Sequence, residues 1–265
     1  MKIGLKIKYT RNAPLVLPHL NRLRGQIDYF ELGTRPEEDF RQFEILKDQG
    51  FSFTVHAPMQ ENNVNIAEPK KDLSNCHGID IARQTADLFD APVIIIHPGD
   101  IETENSSIEH MITLLNEYHD SRFYIENLYD QARSLPFIRI AYDIDNLRRT
   151  KNETKTGFCL DFGHALVQAS REKREYYGYI EEMAKKLRPT YFHLHNGDGP
   201  EDRHWPISCQ KGIIDYKKIT HLWPENAMLT LEIAVFDKNN AFDIEAVLRD
   251  VDYLRNLLID KEKIK

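Results

Sequence analysis

Six residues able to hold a metal ion fall at the ends of six successive apolar runs: His56, His97, Glu126, Asp161, His193 and Glu232. Three more follow closely. His164 lies three residues after Asp161, so a helical turn starting there would put both on one side. Asp202 and His204 are two apart, a spacing at which a short extended segment offers both side chains to one ion. A single buried polar residue at a strand end is ordinarily satisfied by a loop amide. Carboxylates and several histidines brought together without a cation are costly, so the set as a whole predicts a metal site. Histidine and carboxylate ligation without thiolate suits Zn²⁺, Mn²⁺, Fe²⁺ or Co²⁺.

Those residues need elements to position them. Short β-rich runs at 2–7, 26–32, 51–56, 91–98, 122–127, 157–161, 190–195 and 228–233 alternate with amphipathic stretches. Residues 36–49 open with Pro36 and two acids, as a first helical turn prefers. Residues 105–119 line up Ile108, Met111, Ile112, Leu115 and Tyr118, and 243–259 line up Ile244, Val247, Leu248, Val251, Leu254 and Leu258. Eight strands, each followed by a helix, predict an α/β fold, a parallel (β/α)8 TIM barrel, rather than an open doubly wound sheet. In such a barrel all strand C-termini converge on one mouth, which would gather the six strand-end residues. With no composition break, fixed repeat or Gly/Ser linker, residues 1–265 read as one domain.

A chain of 265 residues, 41% hydrophobic and 29% charged, has an ordinary soluble composition. No apolar run approaches the roughly 20 residues of a membrane span. The opening MKIGLKIKYT is too short and polar for a signal peptide and reads as a first strand. Cys76, Cys159 and Cys209 form no CxxC pair, which suits a reducing cytoplasm, and Cys159 reads as a small core residue. A net charge of −7 argues against broad electrostatic binding to nucleic acid. The sequence carries no serine nucleophile elbow and no Gly-rich phosphate loop.

The ordered set VHAP (55–58), VNIA (64–67), IHPGD (96–100), IEN (125–127), CLDFGHA (159–165), HLHN (193–196), DRH (202–204) and LEI (231–233) resembles the successive motifs of the endonuclease IV branch of the xylose isomerase-like barrels. Each motif alone is weak, and the order is what makes the match specific. The resemblance implies that His56 and His97 hold a first zinc, which Glu126 bridges to a second. Asp161, His193 and Glu232 would complete the second, and His164, Asp202 and His204 would hold a third. His195 shares strand parity with His193 and would orient a ligand or meet substrate. Asn127, Arg203 and Arg35 are further candidates for contact with substrate, Arg35 being the cation best placed to meet a phosphate.

Two activities follow from the resemblance. One is phosphoester hydrolysis, in which clustered divalent ions activate water and clamp the reacting oxygens. Three such ions add +6 to −7, leaving about −1, with positive charge focused in the mouth. The other is isomerisation or epimerisation of a sugar or sugar phosphate on one ion, with Glu126 and Glu232 as acid and base. The implied partners are a small phosphoester, a sugar or abasic DNA, with no membrane and no protein partner. Where endonuclease IV carries a DNA-opening aromatic after the third strand, this chain has Met59 and Gln60.

Overall fold

The computed structural model describes residues 1–131, 136–236 and 241–264. Eight parallel strands close into a barrel: β1 (Lys2–Ile7), β2 (Tyr29–Gly33), β3 (Ser52–His56), β4 (Ile94–Ile96), β5 (Phe123–Glu126), β6 (Gly157–Asp161), β7 (Tyr191–Leu194) and β8 (Met228–Leu231). Each pairs with its neighbours in sequence, and β8 closes on β1. All but β2 lie within the runs read from the sequence, and β2 overruns its own by one residue. The register decides which side chains share a level inside. Lys6 pairs with Glu31, Asp161 with His193, and His193 with Thr230.

Below the mouth the barrel is packed with Tyr29, Val93, Ile95, Cys159 and Tyr191. Gly4 makes room for this layer, because a Cβ there would lie 2.2 Å from the Tyr29 ring. Buried phenols need partners. Tyr29 and Thr230 hydroxyls are 2.7 Å apart, Thr54 and Tyr191 2.8 Å, and the Tyr191 hydroxyl donates to Glu31 Oε2 at 2.7 Å. The interior therefore grades from apolar at its base to hydrogen-bonded and then charged at its C-terminal end.

Six longer helices cover the outside: α1 (Asp72–Leu88), α2 (Ile108–Tyr118), α3 (Ile144–Thr154), α4 (Phe162–Arg171), α5 (Tyr176–Leu187) and α6 (Ile244–Ile264). Their starts follow cap chemistry. Ser107 accepts from the His110 amide and Asp143 from those of Asp145 and Asn146, satisfying donors the first turn leaves unpaired. The expectation of a helix after every strand does not hold. After β1 the chain forms a run of short turns, 3₁₀ at Thr10–Asn12 and Leu17–His19 and α-helical at Ala13–Val16 and Leu20–Leu23, and after β7 only 3₁₀ turns. The helix expected over 36–49 is a 3₁₀ stretch, Phe40–Leu46, whose two buried residues, Phe43 and Leu46, are three apart and fit a threefold screw. No helix of the described residues is long and apolar enough to cross a membrane.

Candidate metal centre

Each of the nine expected ligands reaches the C-terminal mouth. His56, Glu126 and Asp161 close their strands, His193 sits within β7, and His97 and Glu232 lie one residue past β4 and β8. The β6–α4 junction adds His164: Asp161 caps the helix, its Oδ1 accepting from the His164 amide at 2.6 Å. Asp202 and His204 arrive from the loop after β7, anchored by backbone pairing of Asn196 with Trp205.

Among the described residues the nine expected ligands fall into three groups, each with its ligand atoms within 4.8 Å of one another: His56, His97 and Glu126; Glu126, Asp161, His193 and Glu232; and His164, Asp202 and His204, to which His195 also belongs; Glu126, Cys159 and His193 make a fourth group. Zinc bonds of about 2.0–2.1 Å in a tetrahedron put donors roughly 3.3 Å apart. His56 Nε2 and His97 Nε2 are each 3.2 Å from Glu126 Oε2. His193 Nδ1 lies 3.2 Å from Glu126 Oε1, 2.8 Å from Glu232 Oε2 and 3.8 Å from Asp161 Oδ2. His164 and His204 Nε2 lie 3.3 and 3.1 Å from Asp202 Oδ2. Glu126 thus turns one oxygen to the first group and the other to the second, as a carboxylate bridging two ions does.

The polar atoms left over also point to cations. Among the described residues, twelve buried side-chain N and O atoms lack a hydrogen bond, and eight belong to this mouth, including Glu126 Oε1, Asp161 Oδ2, Asp202 Oδ1 and Glu232 Oε2. Buried groups of this kind ordinarily have partners, so their concentration at one place marks a missing positive charge. Protonation answers the same demand. Burial alone would raise the Glu126 carboxyl and lower the His193 and His164 imidazoles. The charges facing each other win in every case, holding Glu126 well below its ordinary range and both histidines well above theirs. His204, beside Asp202, is likewise pushed up to about 9 against its burial. His97 goes the other way, to about 4, because its burial outweighs Glu126. Burial pushes the Cys159 thiol up to about 12, which disfavours a thiolate ligand and agrees with its place in the barrel core.

The other ring nitrogens show how the histidines are aimed. His56 Nδ1 lies 3.0 Å from Ala57 O, His164 Nδ1 3.0 Å from Asn127 O and His204 Nδ1 2.8 Å from Glu232 O, so each donates to a carbonyl and leaves Nε2 for the mouth. His193 is reversed: its Nε2 donates to Glu31 Oε2 at 2.8 Å and Nδ1 faces the donors. Glu31 also faces Lys6 Nζ at 3.3 Å, and Lys6 donates to Glu232 Oε1 at 2.8 Å. Sequence reading missed Lys6 and Glu31; their signal was a charge at an inward position of each of the first two strands.

His195 and Asn127 brace the candidate ligand Asp161. His195 Nε2 lies 3.1 Å from Asp161 Oδ1, leaving Oδ2 open to the mouth. Its ring stacks on His204 with centroids 4.2 Å apart at 20°. A ligating lone pair lies in its ring plane, so two near-parallel rings cannot both aim at one ion. Gly163 admits the ring, since a Cβ there would come within 1.8 Å of it. Asn127 Nδ2 donates to Asp161 O at 2.9 Å and its Oδ1 accepts from the Asp161 amide at 2.7 Å, bracing β5 against β6. Arg203 is drawn instead to Asp198 and Glu201, at 3.1 and 2.5 Å. Arg35 stacks on Tyr9, 4.0 Å from its ring centroid.

Comparison with known proteins agrees with this architecture. The sequence profile of the xylose isomerase-like TIM barrels matches residues 24–256. The chain belongs to that family. No curated protein sequence matches it. Among solved structures, the xylose isomerase-like chain is similar to the TTHB071 protein of Thermus thermophilus, soaked with ZnCl2, at TM-score 0.69 and 20% identity over 96% of this chain and 98% of that one. It is similar to a D-tagatose 3-epimerase-like protein at 0.66 and 16%, over 100% of both chains. Endonuclease IV of Thermus thermophilus aligns at 0.65 and 14%, over 98% of this chain and 100% of that one. At these identities the likeness is one of fold, and it reaches epimerases as well as an endonuclease; the family match is to the xylose isomerase-like barrels as a whole.

Proposed function

We propose that this xylose isomerase-like barrel is a metal-dependent phosphoester hydrolase of the endonuclease IV kind. The observation that carries the reading is the placement of Glu126, whose two oxygens face two separate donor groups. His56 and His97 would hold one ion, Asp161, His193 and Glu232 a second, and His164, Asp202 and His204 a third. Zinc suits the donors best, and Mn²⁺, Fe²⁺ or Co²⁺ fit the same types. Bound divalent ions supply Lewis acidity, activating water and neutralising phosphoryl charge. Glu126 fixes the spacing of the first two positions, while Lys6 grips Glu232 Oε1 and leaves Oε2 toward the reacting volume.

Charge accounting supports more than one ion. With the histidines neutral, as ligation requires, and the other groups charged, Glu31, Glu126, Asp161, Asp202 and Glu232 carry −5 and Lys6 carries +1, leaving −4 in a buried mouth. Two divalent ions bring this to zero, and a third brings it to +2, a value suited to an anionic substrate. A cavity of about 300 Å³ beside Glu232 and His204 fits a small ligand.

A second reading has its own observation. Glu126, Asp161, His193 and Glu232 form a complete four-donor group, and its two glutamates could pass a proton across a sugar bound in that cavity. Such an enzyme would be an isomerase or epimerase working through an enediolate. Metal content of protein purified without chelator separates the two. About three ions per chain, with cleavage of a phosphodiester such as bis-p-nitrophenyl phosphate or abasic DNA, supports the hydrolase. About one ion, with turnover of a ketose or sugar phosphate, supports the isomerase. No ion after reconstitution overturns both.

A further inference from the structure

The rim of the mouth just past β1 carries further cations beside Lys6, which already pairs with Glu232 and Glu31. Lys6 near the end of β1 and Lys8 just past it both line the cavity that reaches Glu232 and His204. Tyr9 follows on the same rim. Around its ring centroid stand Arg35 at 4.0 Å, Arg11 at 4.2 Å and Lys8 at 5.9 Å.

Three cations about one ring repel one another, and cation–π attraction offsets only part of that. Among the described residues, of these three only Arg35 has a carboxylate within 4 Å, Glu37 at 3.7 Å. Lys8 and Arg11 are exposed and solvated, so in a chain of net charge −7 the cluster offers an anion from outside a local concentration of positive charge. Lys6 faces the same volume. An ammonium has three N–H groups, and two are directed to Glu232 and to Glu31, which leaves one for a ligand in the cavity.

We infer that the β1–β2 rim is an oxyanion subsite, formed by Lys8, Arg11 and Arg35 around Tyr9, that takes a phosphate group of a small substrate whose reacting end lies against Glu232 and His204. Guanidinium groups suit it because their planar fork matches phosphate oxygens in pairs. The substrate class is then a small phosphorylated molecule with a second functional group for the centre. This rests on the reading of the neighbouring donors as the reacting centre, but not on how many ions they hold.

The test uses the protein loaded with zinc and titration calorimetry with ribose 5-phosphate, fructose 6-phosphate and glycerol 1-phosphate, each beside its unphosphorylated parent. The Arg11→Ala/Arg35→Ala double variant is compared with wild type. Arg149→Ala serves as control, since Arg149 pairs with Glu109 and Glu153 on an outer helix. At least one phosphorylated compound should bind about tenfold or more tighter than its parent. The double variant should lose that preference with parent binding unchanged, and the control should keep it. A preference that survives in the double variant overturns the subsite, as does the absence of any preference across the panel. Elemental analysis of the same samples keeps the two ideas apart. A preference that depends on the arginines without bound metal would support the subsite and sink the metal reading; bound metal without the preference would do the reverse.

Discussion

Replacing Glu31 by glutamine tests whether the wall behind His193 matters to the metal. Glu31 is fully buried on β2. Its Oε2 accepts from His193 Nε2 at 2.8 Å and from Tyr191 Oη at 2.7 Å, while Oε1 faces Lys6 Nζ at 3.3 Å. Burial would raise its pKa, but His193 and Lys6 prevail and bring it to about 2, so it is the charged form that holds these donors. Glutamine has the same shape but one acceptor oxygen. With that oxygen kept for His193 and Tyr191, the new NH2 faces the Lys6 ammonium, donor against donor. Loss of an outer carboxylate behind a ligating histidine typically costs about 10–100-fold in metal affinity, about 1.4–2.7 kcal/mol. A mispaired buried donor costs about 1–3 kcal/mol of folding stability. Competition of Co²⁺ or Zn²⁺ against a chromogenic chelator reads the first quantity and urea unfolding of the metal-free protein the second. The ion held by His193 should weaken by that factor while the one held by His56 and His97 stays as it was. If stability falls and every ion binds as before, Glu31 supports the barrel alone and the argument from His193 Nε2 is wrong.

Gly163→Ala should go against the usual benefit of alanine in a helix, about 0.4–1 kcal/mol. With a Cβ 1.8 Å from the His195 ring, an overpacking loss of about 1–3 kcal/mol is expected in urea unfolding, together with weaker metal binding at Asp161; a stabilised, fully loaded variant would contradict it. His193→Ala should lose bound metal and activity while far-ultraviolet circular dichroism stays that of a barrel, and unchanged metal content would sink the ligand assignment. In the metal-free protein His204 is raised from 6.5 to about 9, so the fold favours its protonated form. Its contribution is complete below pH 6.5 and is lost as pH rises toward about 9, so the melting temperature of chelated protein should decline over that window; a flat profile would count against the Asp202 contact. Free zinc at about 100 times Kd should add about 2.7 kcal/mol to stability, removable by chelator.

The convergence of the candidate ligands was legible in the sequence because strand ends are where a parallel barrel puts its chemistry, and His56, His97, Glu126, Asp161, His193 and Glu232 each close an apolar run. Lys6 and Glu31 were not, although they sit in equally clear runs. A charge inside a strand ordinarily reads as its solvent-facing half. Only the pairing of Lys6 with Glu31 across β1 and β2, under a closed barrel, shows both to be inside. The stretch 36–49 misled because an acidic opening and scattered apolar residues satisfy a helix pattern, whereas burial selects just Phe43 and Leu46. The role of His195 depends on a missing Cβ at Gly163, on a different strand's helix, which no local spacing encodes. Arg203 stands between two candidate ligands in sequence, yet Asp198 and Glu201 claim it in space.

Asp161 divides its two oxygens between architecture and chemistry: Oδ1 closes the first turn of α4 and accepts a hydrogen bond from His195 Nε2, and Oδ2 is left open toward the other candidate ligands. The helix cannot start properly unless this side chain already holds the rotamer that a cation would require. Folding therefore sets this candidate ligand in place by itself, so a metal held here would demand little rearrangement at this corner. An asparagine here would keep the helix start, because the two residues cap about equally well, and would replace the open oxygen by an uncharged NH2 that cannot ligate a cation. Position 161 is thus a place where loss of the metal and loss of the fold can be uncoupled by a single atom.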